Sequence, residues 1–565
     1  MSPVAKLKSL DELETLRKSV TGKRDPKKTV IAICNGTGCQ AYGCKSVTTA
    51  FQEEVARQNL AAKVDVRPIG CPGFCERGTL VVIKPQGIFY QRVRPKDVPE
   101  VVSAINKNDV VSRLLFTDRT SGARVTNEND IPFYKKQKRL IIGNNGLIDP
   151  SSIDDYLAIG GYGALAKALK MSPDVIIAEV KKSGLRGRGG AGFPTGSKWE
   201  TTRHAPGDVK YVIANADEGD PGAFMDRALV EGNPHSVLEG MIIGAYAIGA
   251  HQGYVYIRNE YPLAVRNMRT ALQAAEEYGL LGQNILGSGF DFTIKIQRGG
   301  GAFICGESTA LMASLEGKVG EPRAKYIHTS EQGLWGRPTN LNNVETWANI
   351  PIIINNGADW FSQIGTKGSK GTKIFSLVGN ITNTGLVEVP MGTPLREIVF
   401  DIGGGIPKGR QFKAVQTGGP SGGVIPESLL DLPVDFDELT KVGSMMGSGG
   451  MIVMDEKTCM VDMARYYTSF LEGESCGKCL PCREGLRHMN EILTRITQGL
   501  GKKEDIALLE EICATLVDAS LCQLGASAPN PVMSTIRHFR AEYEAHISEH
   551  KCPAGVCKIG AVAVK

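Results

Sequence analysis

One glycine-rich stretch limits the fold of this chain more than any other feature. Residues 184–198 read GLRGRGGAGFPTGSK, with six glycines in fifteen positions and with Arg186, Arg188 and Lys198 among them. Glycine allows main-chain N–H groups to turn inward and approach an anion, because no Cβ stands in the way. Several inward N–H groups beside a cation form a phosphate site. The stretch therefore predicts a phosphate-binding loop, with a plain glycine-rich surface loop as the alternative.

The two best-known glycine-rich nucleotide motifs do not match this stretch. A P-loop needs Ser or Thr directly after its lysine, whereas Trp199 follows Lys198. A dinucleotide-binding fingerprint continues into a long helix, whereas Pro194 interrupts the run here. We therefore expect a phosphate loop of another kind.

Two further segments combine a short apolar run with an acidic turn. Residues 211–227 read YVIANADEGDPGAFMDR, in which YVIA predicts a buried strand and NADEGDPG predicts a turn. Residues 298–317 read RGGGAFICGESTALMASLEG, a glycine turn followed by Glu307 and an amphipathic helix. Amide and carboxylate groups at the carboxyl end of a strand lie where α/β proteins usually bind ligands. Asn215 and Asp217 are therefore candidate ligand-binding groups.

Together the three segments resemble the NADH-oxidising flavoprotein subunit of respiratory complex I and its relatives, over about residues 120–550. Those relatives include the beta subunits of multimeric hydrogenases and of NAD-dependent formate dehydrogenases. The resemblance implies an α/β core in which FMN and NAD(H) exchange a hydride, without a catalytic side chain. The cofactor-binding residues it implies are Gly187, Arg188, Gly189, Gly190, Lys198, Asn215, Asp217, Glu218 and Asn343 for FMN, Phe193 and Glu307 for NAD(H), and Asp220 as a further acidic position of the pocket.

The chain departs from the family pattern on the nucleotide side of the pocket. Ser308 stands where relatives often have a second carboxylate after Glu307. The segment RAKYIHT (323–329) replaces an aromatic segment, so Tyr326 or His328 is expected to take over the stacking. A carboxylate near the adenosine ribose repels a 2′-phosphate and a serine does not. NAD(H) is the favoured substrate, and NADP(H) is the alternative.

Size, charge and cysteine content exclude several functional classes. No apolar signal region follows Met1, and apolar runs such as residues 241–250 are far shorter than the ~18 residues that span a bilayer. A net charge of +5 over 565 residues does not indicate nucleic-acid binding. Fourteen cysteines in such a chain predict metal or cluster ligation rather than disulfides. The sequence therefore predicts a cytoplasmic protein that does not cross a membrane.

After a charged helical lead (1–27), the N-terminal pattern predicts a thioredoxin-like domain. The predicted elements are a strand (29–34), a helix (45–60), a strand (64–71), two hairpin strands (79–84 and 87–93) and a helix (98–107). Two cysteine pairs follow the first two strands: Cys34 with Cys39, and Cys71 with Cys75. Two facing loops that deliver four thiolates predict a [2Fe–2S] cluster, and the spacing resembles thioredoxin-like ferredoxins. A zinc site or reduced buried thiols are the alternatives.

The C-terminal region combines helical periodicity with a second cysteine motif. Apolar residues recur with a helical period in residues 463–474, 483–497 and 503–518. Cys476, Cys479 and Cys482 form a C-x₂-C-x₂-C motif, whose short gaps let three thiolates converge on one cluster. By resemblance, Cys522 supplies the fourth ligand and Cys513 does not. The motif predicts a [4Fe–4S] cluster.

A last group of metal-ligating residues lies near the C-terminus. Cys552 and Cys557 follow His546 closely, and Cys459 lies much earlier in the chain. Three thiolates and one imidazole suit a tetrahedral zinc site that would fix the tail. His538 and His550 are rival ligands, and a frayed tail with unligated thiols is the alternative.

The sequence thus predicts a multidomain α/β protein. The predicted parts are a thioredoxin-like [2Fe–2S] domain (1–110), a linker (111–150), an α/β FMN- and NAD(H)-binding core (151–365), a soluble-ligand-binding β-grasp domain (366–445), a helical [4Fe–4S] domain (446–545) and a Cys/His tail (546–565). The resemblance favours the beta subunit of an electron-bifurcating hydrogenase complex. Its implied partners are a thioredoxin-like [2Fe–2S] gamma subunit and a cluster-rich catalytic subunit. A formate dehydrogenase or complex I-like diaphorase subunit and a non-catalytic electron relay are the competing interpretations.

Overall fold

The computed structural model describes residues 6–118, 121–324 and 326–559. Parts of three predicted segments therefore lie outside the described residues: the first five residues of the helical lead, Lys325 of the segment 323–329, and residues 560–565 of the tail.

The N-terminal domain contains a four-stranded sheet in the order β2–β1–β3–β4. Strand β2 runs parallel to β1, and β3 and β4 complete the sheet as an antiparallel pair. The elements are α1 (Leu10–Gly22), β1 (Thr29–Cys34), α2 (Thr37–Ala41), α3 (Cys44–Arg57), β2 (Val64–Ile69), β3 (Val81–Lys84), β4 (Ile88–Tyr90) and α4 (Val98–Asn106). The predicted strands and helices appear in the predicted order, and α2 is an additional helix that was not predicted. Strand β1, with the sequence TVIAIC, is buried from Ile31 to Cys34.

The predicted linker is folded and fixed to a later domain. It holds a two-stranded ribbon and a short helix, β5 (Phe116–Thr117), β6 (Arg124–Val125) and α5 (Pro132–Lys135). The main-chain N–H groups of Leu140, Ile141 and Ile142 donate to the buried carboxylate of Glu388, at 2.9 to 3.1 Å. Burial raises the pKa of Glu388 to about 7. These bonds tie the linker to the sheet that carries Glu388.

The α/β core is built on four parallel strands in the order β10–β7–β8–β9. Its elements are α6 (Ile153–Ala158), α7 (Gly163–Ala168), α8 (Pro173–Ser183), α9 (Thr195–His204), β7 (Tyr211–Ala216), α10 (Met225–Gly232), α11 (Pro234–Ile248), β8 (Gln252–Arg258), α12 (Pro262–Glu277), β9 (Thr293–Gly299), α13 (Ser308–Leu315), β10 (Thr339–Asn343), α14 (Val344–Asn356) and α15 (Ala358–Ser362). The apolar residues 241–250 fall largely within α11, which is buried on nearly all sides. Within the described ranges, no helix is long and apolar enough to cross a membrane.

A five-stranded sheet follows, in the order β12–β11–β15–β13–β14. Its elements are β11 (Thr372–Gly379), β12 (Gly385–Pro390), β13 (Phe412–Thr417), β14 (Val424–Pro426), α16 (Phe436–Lys441) and β15 (Gly450–Asp455). Strand β15 lies in the middle, between β11 and β13. The predicted boundary at residue 445 is therefore wrong, because it cuts the central strand away from its sheet.

The C-terminal region is helical, as predicted. It comprises α17 (Met460–Glu474), α18 (Leu480–Thr497), α19 (Asp505–Ala519), α20 (Gln523–Ser527) and α21 (Pro529–Ser548). The start of the tail, predicted at residue 546, is also corrected, since His546 lies in the last turn of α21. Leu486, Leu493 and Leu509 are buried in the core between these helices.

Candidate functional site

The three segments singled out in the sequence meet at the carboxyl edge of the core sheet. Asn215 at the end of β7 is in register with Asn343 at the end of β10. Asn215 donates from Nδ2 to the carbonyl of Gly306 at 3.0 Å, which brings in the second glycine turn. A Cβ added to Gly189 would lie 3.0 Å from the Asn343 Cβ, so the glycine-rich loop covers the same edge. This is the edge at which parallel α/β sheets bind ligands.

The glycine-rich loop is held closed by its own main chain. Gly187 N donates to Phe193 O and Thr195 N donates to Leu185 O, both at 2.9 Å. Gly190 has a φ of +130°, which side-chain-bearing residues rarely adopt. The loop ends at α9, whose first turn carries Lys198.

Lys198 lies just after this loop, close to the ring of Phe193. Its Nζ donates to the carbonyl of Leu341 at 3.0 Å and lies 6.0 Å from the centre of the Phe193 ring. The Phe193 side chain is half exposed. A cation beside an exposed ring suits a phosphate and a flat ring system, the two parts predicted to bind here.

The Arg188 side chain has partners within the protein. Its guanidinium is fully buried and donates to the carbonyls of Arg186, Lys370 and Thr372 at 2.5 to 3.1 Å. Its main-chain N–H donates to Thr346 Oγ1 at 2.8 Å. Burial lowers the pKa of Arg188 to about 10. The Arg188 side chain therefore joins the loop to the following domain, and its contact with FMN stays a prediction.

Asp217 is the least satisfied polar group of the site. Its side chain has no exposed area, and neither carboxylate oxygen has a hydrogen-bond donor among the described residues. The nearest cation is Arg258, with Nη1 3.6 Å from Oδ1. Burial raises the pKa of Asp217 to about 7. Buried polar groups normally have partners, so this carboxylate indicates a ligand with hydroxyl or N–H donors.

Glu218 and Asn343 are engaged mainly within the protein. Glu218 accepts from the N–H groups of Asp226 and Arg227, at 2.9 and 3.0 Å, at the start of α10. Asn343 donates from Nδ2 to Asp226 Oδ2 at 2.5 Å. Burial raises the pKa of Glu218 to about 7 and that of Asp226 well above its usual value. Glu218 and Asp226 therefore form a buried acidic pair, to which Asn343 is hydrogen-bonded.

A loop of the five-stranded domain contacts both the acidic turn and the glycine-rich loop. Ser448 donates to Asp220 Oδ2 at 2.5 Å, and burial raises the pKa of Asp220 to about 6. Gly190 forms an isolated bridge with Gly447. Sequence reasoning missed Ser448 because it lies 228 residues after its partner. It also missed Arg258, although its place at the end of β8 was a usable signal.

Glu307, predicted to contact NAD(H), caps α13. Its Oε2 accepts from the main-chain N–H groups of Thr309 and Ala310 at 2.8 and 3.0 Å. Ser308 donates to Oε1 at 3.1 Å. Ser308, which stands where relatives often have a second carboxylate, thus holds the Glu307 carboxylate in place. Tyr326 and His328, the predicted stacking residues, are exposed, and their contact with a nucleotide stays a prediction.

Four cysteines gather between α17, α18 and α19. Cys476 and Cys479 lie in the loop before α18, Cys482 lies in its first turn, and Cys522 follows α19 directly. Burial, together with the neighbouring thiols of Cys479, Cys522 and Cys476, raises the pKa of Cys482 to about 11. Cys513 lies apart, within the apolar interior of α19. The donor set of four close thiols fits a [4Fe–4S] cluster.

The loop of this cysteine motif is fixed to the second glycine turn. Glu474 Oε2 accepts from the N–H of Phe303 at 2.8 Å, and Lys478 donates to the carbonyl of Pro322 at 3.0 Å. Nothing in the sequence pattern indicated these contacts. They hold the predicted cluster beside the predicted flavin pocket.

The N-terminal cysteines also come together. The Sγ atoms of Cys71 and Cys75 are 3.6 Å apart. Contact with Cys39 and Cys71 raises the pKa of Cys34 well above its usual range, so the two pairs face each other. Cys44 is separate and donates to Asn35 Oδ1 at 3.3 Å. Four thiols joined by these contacts fit a [2Fe–2S] cluster.

The predicted Cys/His group is assembled as well. The ligand atoms of Cys459, His546, Cys552 and Cys557 all lie within 4.8 Å of one another. His546 donates from Nδ1 to Glu542 O at 2.7 Å, which turns Nε2 toward Cys459 and Cys557 at 3.6 and 3.4 Å.

The rival histidines are not part of this group among the described residues. The ring of His550 bonds the carbonyl of Gly499 at 2.8 Å instead. The geometry therefore selects His546 over His538 and His550 as the fourth member.

Comparison with known protein families matches three regions of the chain. Residues 180–352 match the Nuo51 FMN-binding domain, and residues 462–546 match the iron–sulfur binding region of NADH-ubiquinone oxidoreductase-F. Residues 21–106 match the thioredoxin-like [2Fe–2S] ferredoxin.

Full-length relatives agree with these matches. NADP-reducing hydrogenase subunit HndC of Solidesulfovibrio fructosivorans is 57% identical over 423 residues, which cover 75% of this chain and 86% of that protein. This chain belongs to the family of NADH-binding FMN subunits. An F-type subunit of NADH-quinone oxidoreductase in Rhizobium meliloti, another member, is 48% identical over 73% of this chain and 99% of its own length.

A solved structure is similar to nearly the whole chain. The NAD⁺-reducing [NiFe]-hydrogenase in the H₂-reduced state matches with a TM-score of 0.65 and 28% identity, covering 96% of this chain and 90% of that one. The predicted fold class, the FMN and both iron–sulfur clusters are thereby confirmed for this NADH-binding FMN subunit. None of the matched families is described as binding zinc, so the zinc site stays a prediction.

Proposed function

We propose that this chain is the diaphorase subunit of a hydrogenase complex, exchanging a hydride between NAD(H) and FMN and relaying single electrons to partner subunits. The observation that carries this proposal is the unsatisfied Asp217 carboxylate where the three segments meet. A bound FMN would supply the hydride and single-electron chemistry that side chains lack.

The chain's own residues would bind and orient the two nucleotides. The loop N–H groups and Lys198 would hold the phosphate of FMN, and Asp217 would accept hydrogen bonds from its hydroxyl groups. Phe193 offers an exposed face for a nicotinamide ring. The Asp220–Ser448 contact closes the pocket against water on the side of the five-stranded domain. No side chain is needed as a nucleophile or base.

The finer assignment is the beta subunit of an electron-bifurcating hydrogenase in the cytoplasm. Two relatives whose names are those of hydrogenases support it. Its partners would be a thioredoxin-like [2Fe–2S] gamma subunit and a cluster-rich catalytic subunit, which co-purification would identify. Recovery with a formate dehydrogenase subunit would favour the alternative diaphorase. NAD(H) is the proposed nucleotide, and equal or faster turnover of NADPH would overturn that preference.

Replacing Lys198 with methionine tests the flavin site. Loss of one charge-assisted contact to phosphate is expected to weaken FMN binding about tenfold or more. Lys182→Met is the matched control, since Lys182 is 58% exposed and pairs with Asp359 on α15. FMN affinity is measured by fluorescence during reconstitution of the flavin-free protein.

The outcomes separate the competing functions. The parent protein should be yellow and should bleach on addition of NADH. An unchanged FMN affinity in Lys198→Met would remove Lys198 from the site. A colourless, flavin-free protein with intact clusters would instead favour the non-catalytic relay.

The Cys/His group is proposed to hold a structural zinc ion. Three thiols and one imidazole Nε2, with Nδ1 bonded to a carbonyl, match the ligand set and the outer-shell contact of such sites. Cys552→Ala is expected to lose the zinc while keeping its iron, whereas Cys513→Ala, outside the group, keeps both. Metal analysis of the purified proteins measures this, and equal zinc in parent and Cys552→Ala would contradict the site.

A further inference from the structure

Helix α10 connects the flavin side of the core with the N-terminal cysteine loops. Its first turn bonds Glu218 through the N–H groups of Asp226 and Arg227. Its last residue, Gly232, lies against the other site, because a Cβ on Gly70 would be 2.4 Å from the Gly232 Cα. Gly70 directly precedes Cys71. Eight residues, about 12 Å of helix, thus join the two sites.

Glu231, near the end of α10, bonds the first residue of α2, the short helix that carries Cys39. Thr37 donates to its carboxylate from N at 3.0 Å and from Oγ1 at 2.5 Å. Glu231 is only 3% exposed. The neighbouring Gly36 lies against Cys71, since a Cβ there would be 3.1 Å from the Cys71 Cβ. A buried carboxylate is therefore fixed beside both cysteine loops.

Arg227 lies one turn earlier on the same face of the helix. Its Nε is 3.8 Å from Glu231 Oε1, and its guanidinium carbon is 5.6 and 5.4 Å from the rings of Phe224 and Tyr261. Two aromatic faces and a carboxylate hold the cation in place. Through Glu231, which bonds Thr37, the cation is held on the side of α10 that meets the cysteine loops.

We propose that Arg227 and Glu231 set the reduction potential of the N-terminal [2Fe–2S] cluster, in opposite directions. Reduction adds one negative charge to a cluster that already carries four thiolates. A fixed cation nearby favours the reduced state, and a fixed carboxylate nearby favours the oxidised state. The inference rests on the [2Fe–2S] ligands and not on the flavin proposal, so each can fail without the other.

Redox titration of the purified full-length protein tests this, followed by the paramagnetic resonance signal of each cluster at pH 8. In Arg227→Gln, the ratio of oxidised to reduced [2Fe–2S] cluster at a fixed solution potential should rise about tenfold. For a one-electron couple this is a downward shift of the reduction potential by about 59 mV. Glu231→Gln should shift the potential upward. Arg227→Lys keeps the charge and should stay close to the parent. The [4Fe–4S] signal of each sample is the internal control and should not move.

Three results would overturn the proposal. One is an unchanged [2Fe–2S] potential in both Arg227→Gln and Glu231→Gln at full cluster content. Another is a shift of both variants in the same direction, and a third is an equal shift of the [4Fe–4S] potential. If Arg227→Gln does not retain its cluster, Glu231→Gln decides alone: an upward shift supports the proposal and no shift rejects it.

Discussion

Replacing Asp217 with asparagine is expected to stabilise the flavin-free protein at pH 8 and to weaken its binding of FMN. The carboxylate is buried without a hydrogen-bond donor among the described residues, and Arg258 at 3.6 Å compensates it only in part. Asparagine has nearly the same shape and removes the charge. The native aspartate therefore lowers the free energy of unfolding of the flavin-free protein.

The sign of this effect depends on pH. The carboxyl group has a reference pKa of 3.8, and burial raises its pKa to about 7 in the folded protein. Between these values the folded state holds a proton that the unfolded state has released, so rising pH favours unfolding. The loss of folding stability caused by the carboxylate is absent below about pH 4, grows up to about pH 7 and is complete above that pH. At about 1.4 kcal/mol per pKa unit, it reaches roughly 4 kcal/mol at most.

Denaturant unfolding of flavin-free parent and Asp217→Asn at pH 5 and pH 8 measures the effect. The gain in stability should be large at pH 8 and small at pH 5. FMN affinity should fall about tenfold, the value of roughly one hydrogen bond. Asp431→Asn, at a side chain that is 75% exposed and paired with Arg396, should bring no gain. Equal gains at both pH values would contradict the buried-charge explanation.

Lys373→Met is expected to destabilise the protein strongly. Lys373 on β11 forms an ion pair with Glu345 on α14, and the two side chains are 0% and 1% exposed. Lys373 also donates to Ile374 O at 2.9 Å, and the N–H of Ile374 donates to Glu345 Oε1 at 3.1 Å. Removing one partner leaves an uncompensated buried charge, which costs about 3–5 kcal/mol.

The double variant Lys373→Met with Glu345→Met distinguishes the charge from the packing. An apolar pair of similar volume should recover most of the lost stability, because no buried charge remains. Lys441→Met removes an exposed partner of Glu438 and should leave the unfolding midpoint unchanged. If the double variant is no more stable than Lys373→Met, the loss comes from packing and the explanation is wrong.

Local sequence pattern predicted those features that depend on neighbouring residues. The strand TVIAIC and the helix 45–60 appear nearly as expected, because apolar periodicity determines which face is buried. The cysteine pairs and the triplet come together because loops at strand and helix ends place them there. The β15 run GMIVMD was assigned to the helical region, because short apolar runs do not distinguish a strand from a buried helix.

Contacts between distant segments could not be predicted in this way. Arg188 was predicted to be a phosphate ligand because an arginine in a glycine loop usually faces an anion. Its acceptors within the protein include Thr372 O, 184 residues later, on a domain whose position no local pattern gives. The acidic turn likewise gave no sign that Asp217 would be isolated and Glu218 bonded to α10.

The carboxylate of Glu388 accepts hydrogen bonds from the N–H groups of Leu140, Ile141 and Ile142. These bonds affect how the N-terminal domain would pass electrons to a partner. A redox domain on a flexible linker can move between its electron donor and its electron acceptor. Here the segment that follows the N-terminal domain is bonded to the five-stranded sheet, which restricts how far that domain can move. Under the proposed function, a partner that exchanges electrons with the [2Fe–2S] cluster would therefore have to bind beside this domain in one fixed position.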